Sequence, residues 1–183
     1  MKLFVALDVT PEFRAALEQI QAELRKRYPN EHEESRSVLP GDLHLTLRYI
    51  GRIEDATPVI ERLKAVRFDS FCLYTESIGT FSSGPYPVAW AGVGGELAAL
   101  NALKQKVDRA LLGLHCADPA YGFVPHITLA YLKRPLECIQ DITVPHVEML
   151  VKQISLYEIK PKQSEPLFEK VYSFSASDME EDV

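Results

Sequence analysis

Residues 44–50 read His-Leu-Thr-Leu-Arg-Tyr-Ile, and residues 126–132 read His-Ile-Thr-Leu-Ala-Tyr-Leu. Both stretches have the leucine, β-branched and aromatic composition that is typical of a β-strand. Because side chains alternate along a strand, the histidine and the threonine of each stretch share one face. The apolar residues between them point the other way, towards a core. Two such strands predict a site in which two imidazoles face each other.

A lone histidine on a strand is more often a structural residue than a catalytic one, so the duplication is decisive. His44 and His126 are two of only five histidines in the chain, and they stand in nearly the same context. The other three, His32, His115 and His146, have polar or loop-like surroundings without a repeated motif. We expect those three to have no part in the site.

The order of predicted elements indicates an α+β fold. The apolar segment 3–8 reads as a first strand, and Thr10-Pro11 is a good start for a helix that reaches about Arg27. Further helices are predicted over 58–66 and from about 96 to 111, and further strands over 68–80, 88–93, 152–159 and 167–174. Strands and helices thus occur in two rough copies, each with a His-x-Thr strand. The simplest architecture is two similar lobes around a cleft.

Length and hydropathy predict one domain. A chain of 183 residues can bury one sizeable core, and we expect a single two-lobed domain over 1–183 with a solvated acidic tail at about 177–183. It has no apolar run of about 18 residues, which a membrane helix would need. The N-terminal apolar stretch is too short for a signal peptide. These features predict a cytoplasmic protein without a membrane partner.

The cysteines and histidines are not spaced for metal binding. Cys72, Cys116 and Cys138 form no Cys-x-x-Cys pair, and no His-x-His or His-Glu-x-x-His motif occurs. We therefore predict reduced, buried thiols and a site without metal or cofactor. The net charge of −6 disfavours broad binding along a nucleic-acid duplex, which needs many lysines and arginines. It is compatible with an enzyme that handles a single terminal phosphate.

Two histidines in one cleft suit general acid–base catalysis, because an imidazole gives or takes a proton near neutral pH. Phosphodiester cleavage without metal fits such a pair: one imidazole takes a proton from the attacking oxygen and the other protonates the departing one. The hydroxyl groups of Thr46 and Thr128 would hold the phosphoryl oxygens. An amide hydrolase would show a positioned serine or cysteine nucleophile, and a metal-dependent phosphatase would show ligand clusters. Neither pattern is present.

The paired motifs resemble those of the 2H phosphoesterase superfamily. Their surroundings resemble its RNA 2′,3′-cyclic phosphodiesterase branch, which is also called 2′-5′ RNA ligase. The likeness covers nearly the whole chain. It is carried by residues 3–8, by 43–51 with the closing glycine, by Gly79-Thr80-Phe81 with 88–93, and by Pro125-His126-Ile127-Thr128-Leu129-Ala130.

The resemblance implies a two-lobed, pseudo-symmetric fold with mainly antiparallel sheets around a central cleft and helices outside. It also implies hydrolysis of a terminal 2′,3′-cyclic phosphate on RNA to a 2′-phosphate, with 2′-5′ joining of RNA ends as a reverse reaction. His44 would be the proton donor to the 3′ oxygen, His126 the proton acceptor from water, and Thr46 and Thr128 further catalytic residues. The partners would be RNA ends or small cyclic-phosphate nucleotides, bound by a monomer.

One position departs from the family. An arginine often stands five residues beyond the second histidine, where this chain has Tyr131. By strand alternation Tyr131 faces away from His126, unless a bulge or the strand end intervenes. Arg48 alternates onto the face of His44 and is the best substitute cation, with Lys133 and Arg134 as rivals. We therefore include Arg48, Tyr131, Lys133 and Arg134 among the predicted substrate-binding residues.

Two alternative functions remain open. One is a 2H enzyme that acts on small cyclic nucleotides, 2′-5′ oligonucleotides or a tRNA-splicing product, for which the low basic charge is suitable. The other is a non-catalytic module that binds RNA ends or nucleotides. The intact histidine and threonine of both motifs argue against the second alternative, because binding alone does not need two proton-transfer groups.

Overall fold

The computed structural model describes residues 1–29, 36–82, 86–114, 122–161 and 167–179. Its strands are β1 (Lys2–Asp8), β2 (Arg36–Ser37), β3 (His44–Arg52), β4 (Phe71–Phe81), β5 (Val88–Gly95), β6 (His126–Tyr131), β7 (Glu148–Val151), β8 (Gln153–Ile159) and β9 (Phe168–Ser175). Its α-helices are α1 (Pro11–Arg27), α2 (Thr57–Leu63) and α3 (Leu97–Ala110). The predicted α+β class is confirmed.

The strands form one antiparallel sheet in the order β7-β4-β5-β6-β3-β1-β8-β9, and β2 pairs with β6. The two halves of this order are the two lobes, and they meet where β3 pairs with β6. In one lobe the chain runs β1–α1 and then to β3, and in the other it runs β5–α3–β6. Each lobe thus presents its His-x-Thr strand at the junction. The prediction of two pseudo-symmetric lobes is confirmed, with the two sheets merged into one.

The helices cover the apolar face of the sheet. The hydroxyl of Thr10 caps α1 by accepting a hydrogen bond from the backbone N–H of Phe13 at 3.3 Å, as its sequence predicts. Helix α1 contacts β4, β6 and β7 of the other lobe, while α3 contacts β3 and β4. Because α1 packs against strands of the opposite half and α3 against strands of both halves, the two lobes share a core. Among the described residues, no helix is long and apolar enough to cross a membrane.

Strands β2 and β7 were not predicted from the sequence. The third helix begins at Leu97, because β5 continues to Gly95. Gly95 has φ +106°, and a Cβ there would lie 2.6 Å from the backbone oxygen of Cys72, so this turn requires glycine.

Two predictions about exposed groups need correction. Cys72 and Cys138 are exposed rather than buried, and Cys116 lies outside the described residues. The tail does not begin at 177 as a free segment, because the carboxylate of Asp178 accepts hydrogen bonds from the backbone N–H (2.9 Å) and hydroxyl (2.5 Å) of Ser70. Residues 180–183 lie outside the described part of the chain, as do His32 and His115.

Candidate active site

The two His-x-Thr triplets lie side by side at the junction of β3 and β6. Leu45 is opposite Ile127 in the antiparallel register, and both side chains are fully buried. The polar side chains on either side of them therefore share the other face, with each histidine across from the threonine of the neighbouring strand. The two histidines are diagonal neighbours, a relation that separates residues by about 7–8 Å and their Cβ atoms by somewhat less. This spacing leaves room for one phosphate between the imidazoles.

Both imidazoles are oriented in the same way by the backbone. Nδ1 of His44 lies 2.7 Å from the carbonyl oxygen of Asp42, and Nδ1 of His126 lies 2.7 Å from that of Val124. A carbonyl oxygen only accepts, so each Nδ1 carries a proton and donates it. Nε2 of each ring is left as the nitrogen that exchanges a proton. In His44 this atom lies 3.1 Å from the hydroxyl of Thr46.

Aromatic rings hold His44 in place. The ring of Phe4 lies 4.7 Å from the imidazole centroid, and the ring of Phe168 meets it edge-on at 5.0 Å. Phe4 also stacks on Tyr157 at 5.3 Å. His44 is therefore fixed from β1 and β9 as well as by its own strand.

A second aromatic group supports His126 from β4 and β5. Phe81 meets the imidazole edge-on at 4.9 Å, and the ring of Trp90 packs on Phe81 at 5.0 Å. Trp90 lies directly over Gly79, where a Cβ would come 2.3 Å from its ring. The glycine thus lets the indole lie against the sheet. Sequence reasoning used these residues only as marks of a family and missed their role in packing.

The environment of His44 lowers its pKa below the usual 6.5. Burial is the main cause, because it removes water from the imidazolium, and the positive form of His126 acts in the same direction. The carbonyl and carboxylate of Asp42 and the carboxylate of Asp8 oppose the shift without cancelling it. The free protein therefore favours neutral His44 near pH 7.

A cleft of about 810 Å³ opens above the junction, and His44, Thr46 and Thr128 line it. His126 lies beside them on the same sheet face, partly exposed. Five aromatic side chains contribute to its walls: Phe4, Tyr49, Tyr86, Tyr131 and Phe168.

The described cations of the cleft are Lys2 and Lys160. Nζ of Lys2 lies 5.7 Å above the ring of Tyr49, and Lys160 is paired with Glu158 at 2.7 Å and with Glu169. The cleft thus combines acid–base groups and hydroxyls with aromatic and aliphatic walls.

A β-bulge follows the threonine in each motif. The register skips Leu47 where β3 pairs with β1, and it skips Leu129 where β6 pairs with β5. An extra residue reverses the alternation of side chains beyond it. Tyr49 and Tyr131, which are 43% and 47% exposed, therefore both reach the cleft. For Tyr131 the bulge is the exception that the prediction allowed, so its side chain faces the cleft, and Tyr49 is a lining residue that the alternation missed.

The bulge in β3 also turns Arg48 into the protein. Arg48 pairs in register with Val5, is 6% exposed, and places Nε 3.7 Å from Oδ1 of Asp108 on α3. Lys104 binds the same carboxylate. The prediction that Arg48 shares the face of His44 is therefore wrong.

Lys133 and Arg134 are exposed just beyond the end of β6. The described residues that line the cleft include Tyr131 and Leu132 but neither of these two cations. Their predicted contact with a substrate therefore has no support from the lining of the cleft. Within the described ranges, no three histidine, cysteine, aspartate or glutamate residues are grouped as metal ligands.

Comparison with known proteins gives a family match over most of the chain. A model described as the 2′-5′ RNA ligase superfamily matches residues 36–163. The RNA 2′,3′-cyclic phosphodiesterase of Aeropyrum pernix is 29% identical over 152 residues, which are 78% of this chain and 86% of that protein. The protein of the same name from Archaeoglobus fulgidus is 30% identical over 170 residues, which are 90% of this chain and 91% of that protein.

A solved structure extends the likeness to the fold. The structure of E. coli LigT complexed with 3′-AMP is 22% identical and matches with a TM-score of 0.75, covering 96% of this chain and 98% of that one. The two-lobed sheet described above is therefore similar to a known architecture.

Proposed function

Since the chain belongs to the 2′-5′ RNA ligase superfamily, we propose that it hydrolyses the terminal 2′,3′-cyclic phosphate of RNA to a 2′-phosphomonoester without a metal. The observation that carries the proposal is the pair of imidazoles at the junction of β3 and β6, each with Nδ1 bound to a carbonyl and Nε2 left to exchange a proton. The name shared by relatives at up to 30% identity supports the same reaction.

In the proposed reaction, water attacks the phosphorus atom and the bond to the 3′ oxygen breaks. Nε2 of His126 accepts the proton of the water, and protonated His44 donates its proton to the leaving 3′ oxygen. The hydroxyl groups of Thr46 and Thr128 donate hydrogen bonds to the non-bridging oxygens, whose charge grows in the transition state. The 2′ ester bond is untouched, so the product keeps its phosphate on the 2′ oxygen.

The lowered pKa of His44 bears on this assignment, because an acid must start protonated. A bound phosphate diester is an anion, and its charge would restore the imidazolium next to it. The reverse assignment, with His44 as the base, needs the neutral form that the free protein already favours. A diester with a 4-nitrophenolate leaving group distinguishes them, because this group departs without protonation. Selective rescue of His44→Ala supports His44 as the acid, and rescue of His126→Ala instead reverses the roles.

The main test measures hydrolysis of an oligonucleotide 2′,3′-cyclic phosphate in the presence of EDTA, with ³¹P NMR to identify the 2′-phosphate. We expect His44→Ala and His126→Ala each to lose at least about a hundredfold in kcat, the low end for removal of acid–base catalysis. His146→Ala is the matched control, because that imidazole is exposed just before β7 begins, and it should keep full activity. Loss of activity on removing metal, or near-normal rates in both site variants, would refute the mechanism.

The same assay, run with other substrates, tests the alternative functions. Adenosine 2′,3′-cyclic phosphate tests a small-nucleotide enzyme, for which the net charge of −6 is suitable. An RNA with a free 5′ hydroxyl tests 2′-5′ ligation, in which that hydroxyl takes the place of water. Binding of the oligonucleotide without turnover would instead support the non-catalytic module.

We also propose that the protein acts as a monomer in the cytoplasm. The site supports the monomer, because both histidines and both threonines come from one chain. Size-exclusion chromatography with light scattering tests the first statement, and fractionation of cells tests the second.

A further inference from the structure

A second cavity, of about 440 Å³, lies next to the cleft on the side of His44. The ring of Phe168 lines both cavities. The turn before β3 also borders both, because Asp42 lines the cleft while Gly41 and Leu43 line the second cavity. The two cavities therefore adjoin at Phe168 and at the turn before β3.

The one described carboxylate of the second cavity is already neutralised. Asp8 accepts hydrogen bonds from Gln153 Nε2 (2.7 Å), Ser155 Oγ (2.8 Å), Lys170 Nζ (2.8 Å) and the hydroxyl of Tyr157. Burial raises the pKa of Asp8, but hydrogen bonds from these four groups outweigh it and lower the pKa overall. Asp8 is therefore a carboxylate whose charge is balanced by Lys170, and it leaves the cavity without a free anion among its described residues.

Arg14 supplies a second cation to the same cavity. Its side chain lines the wall, and its buried Nε has no hydrogen-bond partner among the described residues. Two cations, Arg14 and Lys170, thus face one anion, Asp8, in a chain whose net charge is −6. A guanidinium is the donor that matches a phosphate oxygen best, and the Arg14 side chain is already part of the cavity wall.

We propose that the second cavity binds the phosphate on the 5′ side of the nucleotide whose cyclic phosphate lies in the cleft, with Arg14 as the donor. The two positions are close, because Asp8 pairs in register with His44, which places their Cα atoms about 4.5–5.5 Å apart. One ribose joins consecutive phosphates of RNA, so a single nucleotide spans the step. The inference rests on the proposed function and specifies its substrate as an RNA end, in preference to a nucleoside cyclic phosphate without a 5′ phosphate.

The test compares three substrates that differ only on the 5′ side: adenosine 2′,3′-cyclic phosphate, its 5′-phosphorylated form, and the dinucleotide ApA with a 2′,3′-cyclic phosphate. The wild type should prefer the second and third, and high salt should weaken this preference. Arg14→Gln should lower kcat/KM for these two by about tenfold, the low end for a lost hydrogen bond from a charged group, and leave the first unchanged. The matched control is Arg25→Gln, which removes an exposed charge from the same helix and should change none of the three.

Each other outcome is decisive. An equal loss on all three substrates, or a preference that survives Arg14→Gln, overturns the proposal, and thermal unfolding of the variant shows whether its fold is intact. An effect on the 5′-phosphorylated nucleotide alone assigns the cavity to a free nucleotide and overturns the RNA-chain assignment. Hydrolysis of all three substrates without preference overturns the second site and leaves the proposed function standing. If the wild type hydrolyses none of them, the proposed function itself fails.

Discussion

At the scale of single residues, Tyr131 is the position that most affects how a phosphate is held. The bulge at Leu129 brings its phenol into the cleft, where the described cations are Lys2 and Lys160. A phenol can donate one hydrogen bond but cannot neutralise a phosphate. Tyr131 can therefore orient a bound phosphate through a hydrogen bond, but it adds no positive charge.

We predict that Tyr131→Arg lowers KM for a 2′,3′-cyclic phosphate by about threefold to tenfold, because it adds a cation beside the bound anion. Tyr131→Phe should raise KM modestly by removing the hydroxyl. Steady-state kinetics at low and high salt measure both effects, and the gain from arginine should shrink at high salt. Tyr172→Arg adds the same charge to an exposed tyrosine of β9 and is the control. An equal gain in that variant would show a general effect of net charge.

The pKa of His44 gives a second prediction at this scale. NMR titration of the imidazoles should give a value below 6.5 for His44 in the free protein, because burial destabilises the imidazolium. The value should rise when adenosine 2′-monophosphate binds, since its phosphate stabilises the positive form. His44→Gln identifies the resonance. If His44 is the acid, the alkaline limb of kcat/KM follows the low value of the free enzyme, and that of kcat lies at higher pH. A pKa above 6.5 in the free protein would contradict the prediction.

At the scale of elements, the bulges decide which face each side chain occupies. Arg48 is the clearest case, because its guanidinium lies under the sheet against Asp108 of α3 instead of in the cleft. Its contribution is therefore to stability. Removing it leaves a largely buried carboxylate with one cation fewer.

We predict that Arg48→Ala lowers the free energy of unfolding by about 1–3 kcal/mol, the cost of leaving a buried polar partner unsatisfied. Chemical denaturation measures it. Arg52→Ala, at an exposed position of the same strand, is the control and should change little. The kcat of folded Arg48→Ala should equal that of the wild type. A lower kcat at unchanged stability would show instead that Arg48 contributes to the active site.

The same elements show what a sequence can predict. The pattern of the His-x-Thr motifs was sufficient to place His44 beside Thr46, because alternation holds up to the threonine. It failed two residues after the threonine, at Arg48, since a bulge depends on how a strand pairs with its neighbour, and the sequence of one strand does not contain that information. The repeat itself could have predicted that both tyrosines reach the cleft. Each copy of the motif carries a tyrosine at the same distance from its histidine, at Tyr49 and Tyr131. The short strand β7 has only four residues and was missed as too brief for a periodic pattern.

At the scale of the whole molecule, the two lobes are joined by packing more than by strand pairing. Strands β3 and β6 pair in register at Leu45 and Ile127, yet the buried apolar residues of both lobes form one continuous cluster. Helix α1 follows β1 of one lobe and packs on strands of the other. The site lies across this junction, so its geometry depends on both lobes being folded.

We predict that both lobes unfold in one transition, because a shared core couples them. Trp90 is the one tryptophan in the chain and lies on β5, so its fluorescence reports on one lobe, while far-UV circular dichroism reports on both. Leu45→Ala, on β3 of the other lobe, should lower the free energy of unfolding by about 2–4 kcal/mol and shift both signals equally. Leu112→Ala, at a side chain that is 62% exposed, should shift neither. Two separate transitions, or a Trp90 signal unmoved by Leu45→Ala, would show that the lobes fold independently.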